Sequence, residues 1–489
     1  MTFLRFAALC CLVMSQALAS PAQTAVLEQA SQLELKGDFK NAASVLTRAL
    51  QEKKLSRDDR KSLEFEVDRL DRIKKDFPYT KDELFAALKK SVKDLTQKEF
   101  EQWVKEGRFD SRELDGKRYF MSASASNLFF RHPELDKRRL PPKETAALER
   151  AVLKACQVIR KTAQSEKKPY VLPKQFQVTM TVTAKAGAAP PGEAIRAWLP
   201  IPRQYSFQSG FELISTSSPI KHIDSEQSPI RAVFLDQTAR NGYPTEFQIV
   251  YNYTMQGVSF DIKAEEVNAS DANDPNLKPF LQEAPHVVFT PEIRALSEKI
   301  VGGETNPYLK ARKCYDWIAD HIQYSYAIEY STIRNISDYT RNKCYGDCGQ
   351  EALLFITLCR LNGIPARWQS GWNTFPSAQT IHDWSEIYLE PYGWMPVDPY
   401  MGIYATQYIK NLTPEQKKEV RDFYFGGLDQ YRLIANGDHN QPLTPAKNSM
   451  RSDDVDFQRG ELEWGGHNIY FDQYNYELDW RELKPAKVD

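Results

Sequence analysis

The sequence predicts a multidomain α+β protein: a helical region over 20–168, an antiparallel β-sandwich-like domain over 169–270, an α+β domain over 285–440, and a tail over 441–489 that carries a β-hairpin. Three observations support this. First, 489 residues exceed what one ordinary core accommodates, so two or three domains are expected. Second, the periodicity changes near Pro169, from helical amphipathicity to the strict alternation of Phe176-Gln177-Val178-Thr179-Met180-Thr181-Val182-Thr183, which is strand-like. Third, helical signals return at Pro291 and then give way to short strands after Pro365. Hydrophobic residues make up 42% and charged residues 26%, a globular composition. A formal net charge of −1 argues against a chain built mainly for nucleic acid or anionic lipid.

Taken in order, Arg5, the apolar run Phe6 to Met14 and the small residues Ala17 and Ala19 read as a secretory signal over 1–19. The alternative is an anchor, but the run is well short of the ~20 residues a spanning helix needs. No later segment is long and apolar enough to span, so the expectation is an exported protein, periplasmic, extracellular or envelope-associated, with no integral membrane segment once the signal is removed. Segments on either side of Gly37-Asp38 read as paired helices, similar to one unit of a tetratricopeptide array but without a clear second copy. Lys81 to Gly107 and Glu144 to Lys167 are also helical. Ala194 to Leu199, Ala232 to Leu235 and Phe247 to Tyr253 follow Phe176 as short strands with turn residues between them. Ser270 to Asn276 reads as a linker. Pro291 and Pro307 sit where a first helical turn accepts proline. Gly349 to Leu361 is a helix ended by Asn362-Gly363, and Arg367 to Trp372, Trp384 to Leu389 and Trp394 to Val397 are strands. In the tail, Gly465-Gly466 marks a hairpin turn.

Chemistry concentrates at Cys348, at the start of the Gly349–Leu361 helix, where the helix dipole and free N–H groups favour a thiolate. His382 lies on one predicted strand and Asp398 on the next, with Glu390-Pro391-Tyr392-Gly393 turning the chain between them. Antiparallel neighbours place an imidazole beside a carboxylate, which makes a nucleophile, base and orienter set. Taken singly, Cys348 reads as a buried cysteine, His382 as a core histidine and Asp398 as a cap before Pro399; together they read as catalytic.

Gly346-Asp347-Cys348-Gly349-Gln350, Cys359-Arg360-Leu361-Asn362-Gly363-Ile364-Pro365-Ala366-Arg367, His382-Asp383-Trp384-Ser385-Glu386-Ile387-Tyr388 and Gly393-Trp394-Met395-Pro396-Val397-Asp398-Pro399 resemble, in order and spacing, motifs of the bacterial transglutaminase-like superfamily. The resemblance covers roughly Pro291 to Met401. It implies a papain-like α+β core with Cys348 as nucleophile, His382 as general base and acid, and Asp398 as orienter. It also implies a thioester formed from a peptide or amide and resolved by water or by an amine; hydrolysis is the slightly favoured expectation. The alternative is a catalytically idle binding or scaffold protein. The β region with Trp198-Leu199-Pro200-Ile201-Pro202 resembles, more weakly, the β domain that often precedes this core. The implied second oxyanion donor lies among Gln323, Tyr324 and Tyr326, with Tyr324 preferred.

Five cysteines remain after signal removal. Cys156, Cys314 and Cys359 read as core; Cys344 reads as a loop thiol, with pairing to another cysteine left open. Asp347 and Asp383 are expected to be exposed or to back the catalytic groups, and Trp368, Trp372, Trp384 and Trp394 to divide between core and acyl-donor groove. No His-Glu-x-x-His, Cys-x-x-Cys, calcium loop, phosphate loop or dinucleotide fingerprint is present, so neither metal nor cofactor is expected. The expected partner is a peptide or protein substrate and not nucleic acid. The oligomeric state is not encoded in these motifs.

Overall fold

The computed structural model describes residues 21–52 and 55–484; the signal-like run at 1–19 lies outside them. The chain forms two compact units. One holds the described residues up to Glu144 together with 323–335 and 345–347; the other holds 145–322, 336–344 and the residues from Cys348 onward.

The first unit is helical. Pro21–Leu35 and Phe39–Leu50 are joined at Gly37, whose φ of 76° suits glycine. Arg57–Asp76, Lys81–Ser91 and Gln97–Lys105 start on the side-chain caps Ser56, Thr80 and Thr96. Leu84, Leu88, Phe100, Trp103, Leu128 and Phe129 form an apolar core. Glu34 is buried against Arg69 and Arg112, whose charges outweigh burial and hold its carboxyl below the ordinary range.

In the second unit the 15-residue strands Tyr170–Ala184 and Thr245–Ser259 pair antiparallel over most of their length. Alternate residues of each are buried, so Val178, Met180, Val182, Ile249 and Tyr251 face one core. A second sheet runs in the order His467–Ile469, Glu461–Trp464, Ala194–Pro200, Ala232–Thr238, His222–Ile223. The tail supplies strands to both sheets. Its hairpin turns at Gly465 and Gly466, and Tyr474–Leu483 then runs beside Tyr170–Ala184. Ala146–Glu166, which the sequence groups with the helical region, belongs to this unit, because Ile159 packs where a Cβ on Gly257 would stand, 2.8 Å away.

A four-stranded antiparallel sheet follows, in the order Gly393–Val397, Thr380–Leu389, Ala366–Asn373, Arg432–Asn436. The helix Cys348–Leu361 packs against it and is buried from Cys348 to Arg360. It stops where Gly363 takes a φ of 75°, with Ile364 N–H bonded to Cys359 O and Gly363 N–H to Arg360 O. Trp372, Trp384, Leu433 and Ile434 of this sheet join the apolar cluster of the sandwich, so the β and α+β regions share one core despite the linker-like sequence between them.

The strand Ala366–Asn373 bulges against Arg432–Asn436 between Ser370 and Gly371. A Cβ at Gly371 would lie 1.9 Å from Leu433 O, and backbone on a neighbouring strand cannot yield cheaply. Gly371→Ala should therefore destabilise the protein by about 3 kcal/mol, the upper part of the overpacking range. A urea midpoint equal to that of the wild type would refute this.

Candidate active site

Cys348 is the first residue of its helix and is 8% exposed. A helix start carries free N–H groups and the positive end of the dipole, a position that favours a thiolate at Cys348. Cys348 Sγ donates to Asp383 Oδ2 at 3.4 Å.

His382 and Asp383 are consecutive on the strand Thr380–Leu389, and pairing of Ser385 with Val397 brings Asp398 alongside. His382 Nε2 lies 2.8 Å from Asp398 Oδ2, with both side chains buried. With that nitrogen committed to the carboxylate, Nδ1 is the ring nitrogen left for proton exchange. Asp398 is also the cap of the short helix Pro399–Ile403, its Oδ1 accepting from Met401 N–H at 3.1 Å. It therefore combines the capping role and the orienting position that the sequence offered as alternatives.

Behind Asp398 stands Arg432, on the strand Arg432–Asn436 and 1% exposed. Its Nη1 is 3.0 Å from Asp398 Oδ2, while Nε and Nη2 reach Asp429 Oδ2 at 3.2 and 3.1 Å. Tyr424 Oη also donates to Asp429 Oδ2, at 3.0 Å. The guanidinium sits 5.1 Å from the centre of the Trp384 ring. Burial pushes the His382 imidazole down, and the attraction of Asp398 restores only part of that, with Arg432 opposing it. Burial alone would raise the Asp398 carboxyl, but His382, Arg432 and the Met401 N–H together hold it below the ordinary carboxylate range. Arg432 is pushed up despite burial, by Asp429 and Asp398.

The C-terminal segment also reaches the site. Gln458 Nε2 donates to Asp383 Oδ1 at 2.6 Å and to His382 O at 2.9 Å, and Trp372 Nε1 donates to Gln458 O at 3.3 Å. Two residues earlier, Asp456 accepts from Ser370 Oγ at 2.5 Å and from Asn436 Nδ2 at 3.2 Å. The Tyr400 ring lies 5.3 Å from that of His382, edge to face.

Of the two placements expected for Asp383, exposed or backing the catalytic groups, the structure shows the second: it is 3% exposed and accepts from the cysteine sulfur, with Gln458 on its other oxygen. Asp347 falls in the first unit, accepting from Tyr330 Oη at 2.6 Å. Gln323, Tyr324 and Tyr326 fall there too, and the Tyr324 ring packs edge-on against Phe130 and Tyr326. Trp368, Trp372 and Trp384 are buried core residues, whereas Trp394 is half-buried with the Arg367 guanidinium 4.0 Å from its ring centre. Cys156, Cys314 and Cys359 are buried free thiols, pushed up by burial, and Cys344 is exposed and free. Sequence reasoning missed Arg432, Asp429 and Gln458. The one available signal was an arginine opening the apolar strand run Leu433-Ile434-Ala435.

The chain is similar to several known proteins. A Haemophilus influenzae protein described as uncharacterized is 25% identical over 188 residues, covering 34% of this chain and 49% of that protein, so the chain spans about half the length of this curated relative. Among solved structures, a candidate cysteine protease from Cytophaga hutchinsonii aligns with a TM-score of 0.42 at 18% identity, covering 65% of this chain and 94% of that one. The periplasmic domain of TgpA from Pseudomonas aeruginosa aligns with a TM-score of 0.26 at 16% identity, covering 55% and 96%. Residues 294–399 match the profile of the transglutaminase-like superfamily, and the region that contains Cys348, His382 and Asp398 is a domain of that superfamily.

Proposed function

We propose that the protein is an exported cysteine enzyme that cleaves a peptide or amide bond through a thioester on Cys348. The observation that carries this reading is the buried His382–Asp398 pair at 2.8 Å, in the same family-matched segment as a cysteine that opens a helix. In the proposed cycle His382 Nδ1 takes the thiol proton and the sulfur attacks the carbonyl carbon. In this cycle the Cys348 backbone N–H, at the helix start, donates to the oxyanion. His382 then returns the proton to the leaving amine, and water hydrolyses the thioester to a carboxylate. The signal-like run at 1–19 supports export.

A second reading, an idle scaffold, has one observation in its favour: Cys348 is buried. The test is to incubate the purified protein with a peptide library and a primary-amine probe, and to read the products by mass spectrometry. New carboxyl termini that fall roughly a thousandfold or more in Cys348→Ala are expected. Isopeptide bonds or incorporated amine in place of new carboxylates would reassign the reaction to crosslinking. No Cys348-dependent product, together with alkylation of Cys348 no faster than an ordinary thiol and indifferent to His382→Ala, would overturn the enzyme reading in favour of the scaffold.

A further inference from the structure

We propose that Asp383 is a further member of the site, a carboxylate that latches the resting Cys348 thiol and is aimed at it by Gln458 of the C-terminal segment. This rests on the reading of Cys348 as the nucleophile. The geometry has three parts. Cys348 Sγ donates to Asp383 Oδ2 at 3.4 Å, so the carboxylate touches the reacting atom. The other oxygen, Oδ1, is fixed by Gln458 Nε2 at 2.6 Å, and the same amide holds His382 O at 2.9 Å. Gln458 is in turn held through its carbonyl by Trp372 Nε1 and, two residues upstream, through Asp456 bonded to Ser370 and Asn436. All these groups are buried, so no bulk water competes for the hydrogen bonds.

The chemistry follows from the sign of the charge. A carboxylate accepting S–H stabilises the thiol, and the same carboxylate beside a thiolate repels it. Asp383 thus opposes the helix dipole and His382, both of which favour the thiolate. Titratable groups on the elements packed about Cys348 include His382 on the same strand as Asp383, Tyr400 on the short helix after Asp398, and Glu351 one turn along the nucleophile helix. Asp398 and Arg432 lie behind His382. The latch opens when the thiol proton passes to His382 Nδ1 and Asp383 keeps its Gln458 bond; no other reactant is needed. Gln458 lies beyond the matched segment 294–399, so the family core alone does not contain the latch.

The latch predicts a gain of reactivity, which damage to the fold does not produce. In Asp383→Asn the amide oxygen stays on Gln458 Nε2 and the amide N–H faces sulfur, where it donates to a thiolate instead of repelling it. Alkylation of Cys348 near neutral pH, mapped by mass spectrometry on the full-length protein, should accelerate about tenfold, the equivalent of one unit of thiol pKa. Gln458→Leu, which removes one partner of Asp383 without removing its charge, should move the rate less than Asp383→Asn does, and both variants should melt cooperatively. An Asp383→Asn protein that melts cooperatively and labels at the wild-type rate or slower overturns the latch. If it does not fold, Asp383→Ser at the same position gives the same reading, because it too removes the charge. His382→Ala separates the two ideas: a rate that responds to His382 but not to position 383 sinks the latch alone, and a rate indifferent to both sinks the nucleophile reading with it.

Discussion

Arg432→Met should destabilise the protein by about 3–5 kcal/mol, the range for removing one partner of a buried ionic group. Arg432 is the cation between Asp398 and Asp429, all three are 1% exposed or less, and a methionine fills the volume without replacing the charge. Two carboxylates would then share a water-poor pocket, with His382 and Tyr424 as their neighbours. The loss should depend on pH. In the wild type Asp398 is held below its ordinary value, so the stability it contributes is complete above the unfolded carboxylate value and is lost as pH falls through the lower folded value. Without Arg432 the folded value rises, and protonation relieves the unpaired charge at a higher pH than before. The deficit should therefore be largest near neutrality and narrow as the solution is acidified. Urea titrations of both proteins across that range test this. A deficit below about 1 kcal/mol at neutral pH would mean that the pocket admits water and the pair is worth no more than a surface one. Adding Asp429→Asn to Arg432→Met should recover part of the loss, because the two residues bond each other directly and their effects are not additive.

The elements nearest the chemistry were legible because their local signals agree. Cys348–Leu361 has an apolar run, a glycine stop and a proline beyond it, and the structure places the helix within one residue of the expected start. Pairing of His382 with Asp398 followed from strand, turn and strand, a short-range arrangement in which register does the positioning. For Asp383 the sequence leaves exposure and a place behind the catalytic groups both open, because the segment that decides between them, Asp456 to Gln458, closes over that face from more than 70 residues away. Arg432 and Asp429 were invisible for the same reason: an arginine at a strand start reads as an edge residue until a distant aspartate is known to lie beside it. The sandwich was legible as alternating strands, yet its outermost pairings belong to the tail, and nothing local in Tyr474–Leu483 names Tyr170–Ala184 as its neighbour.

Asp398→Asn should lower turnover by roughly a hundred- to a thousandfold, short of the ~10⁴ seen when an amide forces the wrong imidazole tautomer. The difference comes from Arg432. The Oδ2 position receives two donors, His382 Nε2 at 2.8 Å and Arg432 Nη1 at 3.0 Å, whereas among the described residues Oδ1 receives the Met401 N–H at 3.1 Å. An asparagine with its oxygen at the first position sets one donor against one donor, at Met401. The flipped amide sets its N–H₂ against two donors, one of them charged, so the oxygen stays toward His382 and the working tautomer survives. What is lost is the negative charge that supports the imidazolium as it takes the thiol proton, and Arg432, still paired with Asp429 but with one carboxylate fewer, now opposes the imidazolium more strongly. His382 should consequently titrate lower than in the wild type, and thiol labelling should lose its His382-dependent component across the neutral range. Arg432→Met placed on Asp398→Asn removes the opposing cation and should restore part of the rate, but it also removes the reason for the oxygen to face the ring. If the double variant is slower than Asp398→Asn, the guanidinium was fixing the amide orientation and its loss lets the tautomer flip. If it is faster, repulsion between the guanidinium and the imidazolium outweighed that orienting role. A single variant as active as the wild type would remove Asp398 from the catalytic set and leave it as the cap of Pro399–Ile403.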